Sequence, residues 1–409
     1  MATLNDAFTL PAGSTLINRI AKSAMSEALG TMDNRATDKL VQLYRTWGAG
    51  GTALLFTGNI MVDRRALGEP GNVVIEDDRD MDTLKAWAAA GKENGAEIWV
   101  QLNHPGRQCP KGLNKESVAP SAVEFNKSMQ AFFETPRELT AEEIEDIIAR
   151  FAKAAGICRE AGFSGVQIHG AHGYLVSQFL SPHTNQRTDQ WGGSTENRRR
   201  FVLEILKAMR AATAPDFPIG IKLNSADFQR GGFTEEESLE VMSALTDAGI
   251  NLIEISGGTY EAPAMTGVRE STRKREAYFL DFADKVRKRI PATPLMVTGG
   301  FRSAAGMNEA LASGSLDICG IARILAIEPD VSRRLLAGDN PRQTVKPIKT
   351  GIPLVDKMAI MEVTWYTRQL HRIGSGKAPR PNEAALKVFL ISLWETFTGI
   401  RKTRRLRAS

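Results

Sequence analysis

Two histidines and a tyrosine lie within six residues of a chain of 409 residues that has only five histidines. His169, His172 and Tyr174 follow the apolar stretch 165–168, and glycines at 170 and 173 separate them. These side chains donate, accept and transfer protons, so they could serve an active site. The glycines rule out a regular helix with two zinc-binding histidines four residues apart, and no third ligand is nearby, so no metal is predicted. Two histidines satisfied inside a packed loop are the alternative.

Further polar residues and glycines follow other apolar runs of the sequence. Gln101 and Lys222 each close such a run, Gly299 and Gly300 precede a predicted helix, and Arg323 follows the last run. Backbone N–H groups at a helix N-terminus, next to an arginine, are typical of a phosphate site after strands seven and eight of a barrel.

Eight short apolar runs alternate with longer segments of helical periodicity, which predicts a parallel sheet covered by helices. The predicted strands are Arg19–Met25, Thr52–Phe56, Glu97–Leu102, Gly165–Ile168, Ile219–Leu223, Leu252–Ile255, Leu295–Val297 and Ile318–Ile321. The predicted helices are Asp38–Ala49, Met81–Asn94, Ala141–Ala161, Thr195–Ala212, Glu235–Ala248, Tyr278–Arg289, Ala304–Ala312 and Asp330–Ala337. Eight such units predict an α/β fold, a (β/α)8 TIM barrel. A doubly wound sheet is the alternative, but no G-x-G-x-x-G follows the first strand.

The chain is longer than the roughly 250 residues that such a barrel requires. The excess falls before residue 19, between residues 104 and 140, and after about residue 340. We therefore predict a barrel domain over residues 1–340 and a C-terminal helical extension with a basic tail over residues 341–409.

Composition narrows the class of protein. The three cysteines, Cys109, Cys158 and Cys319, form no C-x-x-C pair, so no disulfide framework, zinc site or iron–sulfur site is predicted. No signal peptide and no membrane span are expected, and a cytoplasmic location is predicted. The net charge of +5 equals the contribution of the five basic residues in the last nine positions, so nucleic acid is not an expected partner.

Four segments give the chain its resemblance to a known family: NRIAKSAMSE, WVQLNHPGRQ, the long segment beginning GVQIHGAHGYLVSQF, and TGGF with GIAR. In the third segment, histidine is followed by histidine three positions on and tyrosine two further, ahead of GGSTENR. From about residue 18 to residue 338 the chain resembles the old yellow enzyme family of FMN-dependent oxidoreductases.

That resemblance implies roles for the residues that match its motifs. His169 and His172 match a pair that holds the substrate oxygen over the flavin, and Tyr174 matches the proton donor. The residues that match flavin-binding positions are Ala24, Met25, Ser26, Gly58, Gln101, His169, Lys222, Gly299, Gly300, Ala322 and Arg323. The Ser26 hydroxyl could donate toward the flavin, or it could be an ordinary polar residue at a strand end.

The implied activity is that of an FMN enzyme that takes hydride from NADH or NADPH and reduces activated C=C bonds of α,β-unsaturated carbonyl or nitro compounds. A flavin barrel with another redox task, such as demethylation, nitroester reduction or oxidation by O₂, is one alternative. A flavin-free barrel that forms a Schiff base at Lys222 and a non-catalytic flavin-binding scaffold are the others.

The segment ALKVFLISLWETFTGIRKTRRLR, which begins at Ala385, predicts an amphipathic helix that ends in cations. The favoured expectation is that its apolar residues pack on protein, either on the barrel itself or on another subunit of a homo-oligomer. Contact with an anionic membrane surface is the alternative.

Overall fold

The computed structural model describes residues 1–12, 14–127, 129–259, 261, 279–339, 348–352, 356 and 360–394. Eight parallel strands close into a barrel, as the sequence predicts. They are β1 (Ile20–Lys22), β2 (Leu54–Met61), β3 (Glu97–Asn103), β4 (Gly165–Gly170), β5 (Ile219–Asn224), β6 (Leu252–Ser256), β7 (Leu295–Thr298) and β8 (Ile318–Ile321). Strand β1 pairs with both β2 and β8, which closes the barrel.

Helices follow the strands at the predicted places. They are α1 (Asp38–Ala49), α2 (Met81–Lys92), α3 (Ala141–Glu160), α4 (Thr195–Ala212), α5 (Glu235–Asp247), α6 (Leu280–Arg289), α7 (Ala304–Ala312), α8 (Val331–Leu336) and α9 (Ile360–Gly374). Threonine side chains cap α3 and α5, each in a capping box with the glutamate three residues on. The first eight lie within a few residues of the predicted bounds, whereas α9 lies in the extension that is predicted to be helical without bounds for this helix.

The lower half of the barrel interior is apolar, and Trp99 is its largest side chain. Leu54, Phe56, Leu252 and Met296 pack around it. A Cβ added at Gly165 would lie 2.7 Å from the Trp99 ring, and one at Gly220 would lie 2.9 Å from it. Glycine on β4, the neighbour of β3, and on β5 therefore makes room for the indole.

An N-terminal hairpin covers this end of the barrel. Residues Phe8–Thr9 pair antiparallel with Thr15–Leu16, and Leu10 and Leu16 are buried in the same apolar cluster as Trp99. The N-terminal hairpin thus closes the end of the barrel where the strands begin. This leaves the carboxyl ends of the strands for a site.

The described part of the C-terminal extension packs against the barrel. Helix α9 buries Trp365, Tyr366 and Leu370 in the main hydrophobic core, and residues 385–394 form a further helix that buries Val388 there. The division into a barrel and an extension remains our proposal, but the two share one core. No helix among the described residues combines the length and the apolar character needed to cross a membrane.

Candidate active site

A layer of buried polar side chains lies above the apolar interior, at the carboxyl ends of the strands. Gln101 on β3 donates to the Gln167 side chain over 2.7 Å, and Gln167 donates to Glu254 over 2.7 Å. Ser23, just after β1, donates to the same carboxylate over 2.5 Å. Side chains along a strand point alternately into and out of the barrel. The polar residues two positions after the inward-facing apolar residues therefore also point inward.

Glu254 on β6 connects this polar layer. Its carboxylate lies 3.0 Å from the Lys222 ammonium and accepts a hydrogen bond of 2.7 Å from Thr298. Burial by itself raises the pKa of Glu254, but Lys222 and the surrounding donors outweigh burial and hold this pKa below its ordinary value. The carboxylate is therefore charged at neutral pH.

His169, His172 and Tyr174 come together at the end of β4. The centroid of the His169 ring is 5.2 Å from that of His172 and 4.7 Å from that of Tyr174. The His172 Nε2 atom is 2.7 Å from the Ser256 hydroxyl, and the backbone N–H of His172 donates to the Asn224 side chain over 3.1 Å. Residues on β4, β5 and β6 thus hold the three rings in one cluster. The same contacts would also satisfy two histidines that merely pack inside a loop. The catalytic role of these residues therefore remains a proposal.

Both imidazoles are neutral at physiological pH. Burial lowers the pKa of His169 well below its ordinary value, and electrostatic interactions with His172 and Lys222 lower it further. Burial also lowers the pKa of His172, again with a contribution from Lys222. The Nδ1 atom of His169 accepts from the backbone N–H of Ala171 over 3.3 Å, so the neutral ring carries its proton on Nε2. His169 therefore offers a neutral N–H donor.

The segment Ala24–Ser26 lies at the rim, with all three residues half-buried. The Ser26 hydroxyl donates to the carboxylate of Glu69, so in this structure it serves a protein acceptor. Gly58 lies directly behind the segment, where an added Cβ would be 2.6 Å from the Met25 carbonyl oxygen. Only glycine permits this close approach of the β2 backbone to the segment.

The predicted phosphate residues follow two neighbouring strands, β7 and β8, at the rim. Gly299 and Gly300 follow β7 with φ of 117° and 89°, values that favour glycine. Among the described groups, neither N–H has an acceptor. Ala322 and Arg323 follow β8, and Arg323 is turned outward in a 2.6 Å ion pair with Glu362 of α9. A bound phosphate would compete with Glu362 for this guanidinium.

Sequence reasoning missed several members of this site. Glu254, Gln167 and Ser23 are not among the predicted site residues, although Glu254 is in register with Lys222 and Gln167 with Gln101 on neighbouring strands. A buried glutamate within an otherwise apolar strand was the available indication. Glu362 had no such indication, because the predicted helical extension came with no contact to the site.

The arrangement fits FMN. The Gly299–Gly300 turn offers N–H donors to a phosphate, and the side chains of Gln101 and Lys222 lie at adjacent depths in the barrel mouth. The Asn103 amide is fully buried at the end of β3, and neither its Oδ1 nor its Nδ2 has a partner among the described residues. Such an unsatisfied amide is expected where a ligand completes the hydrogen bonds.

Known proteins support the same assignment. The sequence model of the NADH:flavin oxidoreductase / NADH oxidase family matches residues 8–341. The NADH-dependent flavin oxidoreductase iccE of Talaromyces variabilis is 37% identical over 404 residues, covering 90% of this chain and 98% of that relative. The enzyme iliE of Neonectria sp. (strain DH2) is 36% identical over 390 residues, which cover 88% of this chain but only 50% of that relative.

Solved structures show the same barrel. A 2-naphthoyl-CoA reductase in complex with 2-naphthoyl-CoA is 28% identical and superposes with a TM-score of 0.76, covering 82% of this chain and 52% of that one. A mutant of morphinone reductase in complex with tetrahydroNAD shares the fold at 24% identity, with a TM-score of 0.70 over 84% of this chain and 93% of that one. The chain therefore belongs to the NADH:flavin oxidoreductase / NADH oxidase family, and it is an FMN-dependent oxidoreductase of the old yellow enzyme type that uses NADH or NADPH.

Proposed function

We propose that this enzyme reduces activated C=C bonds of α,β-unsaturated carbonyl or nitro compounds. When bound, FMN supplies the hydride chemistry that links oxidation of NAD(P)H to reduction of the substrate. The observation that supports the proposal most strongly is the cluster of His169, His172 and Tyr174 at the end of β4. It combines neutral imidazoles with a phenol within one pocket mouth.

The two histidines would bind the substrate oxygen. Negative charge develops on that oxygen as hydride reaches the β-carbon of the alkene, and N–H donors stabilise it most at that moment. The neutral His169 ring, with its proton on Nε2, suits this role. The His172 ring, 5.2 Å away from centroid to centroid, could approach the same oxygen. One well-placed donor contributes on the order of 3 kcal/mol to transition-state stabilisation.

Tyr174 would supply the proton to the α-carbon of the substrate. It is half-buried at the start of the short helix Leu175–Leu180, next to the His169 ring. A phenol hydroxyl there can reach a substrate held by the histidines. Reduction of the C=C bond needs one hydride and one proton. Tyr174 would donate the proton.

The binding roles of the cofactor residues are part of the proposal. Gln101 and Lys222 would contact the flavin ring from the polar layer, whereas Ala24, Met25, Ser26 and Gly58 would line it at the rim. Gly299, Gly300, Ala322 and Arg323 would bind the phosphate. The Lys222 ammonium contacts Ser23 and Glu254 and so is already engaged by the protein.

Stopped-flow kinetics of a Tyr174→Phe variant test the proposal. We expect flavin reduction by NAD(P)H to keep its wild-type rate, because that half-reaction needs no proton from Tyr174. Oxidation of the reduced enzyme by an enone such as cyclohexenone should slow by about 10²-fold or more. Thr213→Val removes a hydroxyl directly after α4, at the end of the barrel where the strands begin, and is the control that should change neither rate.

Two results would contradict the proposal. Equal losses in both half-reactions would remove Tyr174 from proton transfer. Rapid oxidation by O₂ together with no turnover of enones, maleimides or nitroalkenes would favour the NADH oxidase activity that the family description also names. Because this family consists of flavin enzymes, the Schiff-base barrel and the non-catalytic scaffold are set aside.

Location and assembly remain predictions. The three cysteines are buried as thiols rather than paired in disulfides, and a cytoplasmic, reducing compartment stays a prediction. A homo-oligomer and a monomer are the alternatives for assembly, and size-exclusion chromatography with light scattering would distinguish them.

A further inference from the structure

Helix α9 belongs to the C-terminal extension, yet it packs tightly on the barrel. Met361, Trp365, Leu370 and Ile373 are buried on one face of the helix. This face contacts α1 and the turn Arg323–Ala326. The helix therefore lies outside the barrel, next to the rim segment that follows β1.

Two side chains of α9 donate hydrogen bonds to that rim segment. The Thr367 hydroxyl donates to the Ser26 carbonyl oxygen over 2.9 Å. The His371 Nε2 atom is 2.8 Å from the Glu27 carbonyl oxygen, and a carbonyl can only accept, so the imidazole is the donor. The two donors are one helical turn apart, and their acceptors are consecutive residues. Because the donors and the acceptors match in spacing, the two hydrogen bonds together fix the orientation of both peptide groups.

The side chains of the same segment are bound from the barrel side. Ser26 donates to Glu69, and the buried Glu27 carboxylate accepts from Tyr44 of α1. The buried Lys22 ammonium also lies 3.4 Å from Glu27. The side chains are thus fixed by the barrel, whereas α9 fixes the carbonyl groups. The next residue, Ala28, has a φ of 47°, an uncommon value for a residue with a Cβ.

A third contact of α9 reaches the opposite end of the candidate cofactor site. Glu362, in the first turn of the helix, forms the 2.6 Å ion pair with Arg323. One helix outside the barrel therefore contacts both the segment proposed to line the flavin ring and the arginine proposed to bind its phosphate.

We propose that α9 is part of the cofactor site, and that Thr367 and His371 are positioning residues that fix the main chain of Ser26 and Glu27 against the flavin. This inference rests on the proposed placement of FMN. The flavin-lining segment would then depend on a helix some 340 residues later in the chain.

Purified full-length protein carrying Thr367→Val and His371→Phe tests the inference, because both changes remove a donor and nearly keep the side-chain volume. The readouts are the FMN dissociation constant from fluorescence titration, the midpoint potential of the bound flavin and its visible absorption bands. We expect FMN to bind about tenfold more weakly, since two neutral hydrogen bonds are lost. The potential and the absorption bands should shift as well, which a purely structural effect elsewhere would not cause.

Two further variants give the matched comparisons. Thr364→Val makes the same substitution one turn earlier on α9, where no bond to Ser26 or Glu27 is described, and should behave as wild type. His371→Gln keeps an N–H donor and, combined with native Thr367, should restore most of the affinity and the wild-type spectrum. If the double variant does not fold, Thr367→Val alone should show about a threefold loss of affinity and a smaller spectral shift.

The outcomes separate the inference from the function on which it rests. Wild-type protein that fails to bind FMN would contradict the proposed cofactor site. Wild-type protein that binds FMN, with Thr367→Val and the double variant identical to it in affinity, potential and spectrum, would overturn only the role of α9.

Discussion

The Glu254 carboxylate accepts hydrogen bonds from Ser23, Gln167 and Thr298 and pairs with Lys222, all in the buried mouth of the barrel. Four residues on four other elements of the barrel therefore depend on one charge. Removing one partner from a buried ion pair leaves the other charge uncompensated, which costs more than the pair itself contributes.

We predict that Glu254→Gln destabilises the protein by about 3 kcal/mol, because it leaves the Lys222 ammonium buried without its counter-charge. The free energy of unfolding in urea, measured with and without FMN, checks the expectation. Glu204→Gln, which breaks an exposed pair with Lys207 at 3.4 Å, is the matched control and should cost less than about 0.5 kcal/mol. Equal small losses in the two variants would show that Glu254 does not organise the layer.

The terminal helix, residues 385–394, has two different faces. Val388 is buried, with Ala385 and Phe389 partly buried beside it, as the favoured packing expectation requires. The opposite face is exposed: Leu386, Leu390, Leu393 and Trp394 have exposures of 44%, 59%, 52% and 71%. The basic residues that follow lie outside the described part of the chain. The buried face thus packs on the barrel. Experiment must decide whether the exposed face contacts another subunit or a membrane surface.

We predict that removing residues 385–409 lowers the free energy of unfolding by about 2 kcal/mol while FMN stays bound, because Val388 and its neighbours lose their buried contacts. Thermal unfolding and flavin absorbance after dialysis measure the two effects. Val388→Ala should reproduce part of the loss, and Leu390→Ala on the exposed face should not. Unchanged stability and size of the truncated protein, with salt-sensitive sedimentation of the full-length protein alone on anionic vesicles, would favour the membrane alternative.

Buried neutral histidines tie the stability of the whole molecule to pH. His104 follows β3, is 3% exposed, and its Nδ1 accepts from the Gly106 N–H over 3.1 Å. Burial lowers the pKa of His104 to about 4, and the attraction of Asp63 only partly offsets burial. Burial lowers the pKa of His169 and His172 in the same direction. All three rings stay neutral in the folded protein at pH values where the unfolded chain binds protons.

We predict that the free energy of unfolding falls as pH decreases from about 6.5 toward about 4. The unfolded state binds more protons in this window, so stability is fully present above the ordinary histidine pKa and is lost below it. His104 by itself would account for about 3 kcal/mol at most. Urea unfolding at pH 7.5, 6 and 5 measures the slope, with all values taken at about the same ionic strength.

His104→Asn is the informative variant, because its side-chain oxygen can still accept from the Gly106 N–H. Its unfolding free energy should depend less steeply on pH than that of the wild type. A slope identical to that of the wild type would show that the pKa of His104 is the same in the folded and unfolded states.

The sequence by itself determined the barrel and the locations of most candidate site residues. Apolar runs and helical periodicity are local properties, so Ile318–Ile321, Asp38–Ala49 and Ala304–Ala312 were predicted at their observed bounds. The motif that contains His169, His172 and Tyr174 is also local. Because every strand of such a barrel ends at the same face, residues at strand ends could be assigned to one site without knowing a single contact.

Only the tertiary structure decided which of these side chains are partners. Glu254 meets Ser23 across 231 positions and Ser26 meets Thr367 across 341, and no periodicity relates such distant residues. Helix α9 has an apolar face that could cover any groove, so its sequence does not identify the surface it covers. The ion pair of Arg323 with Glu362 likewise depends on where α9 docks. Local patterns specify elements and faces, whereas the partners of a buried charge depend on how those elements pack.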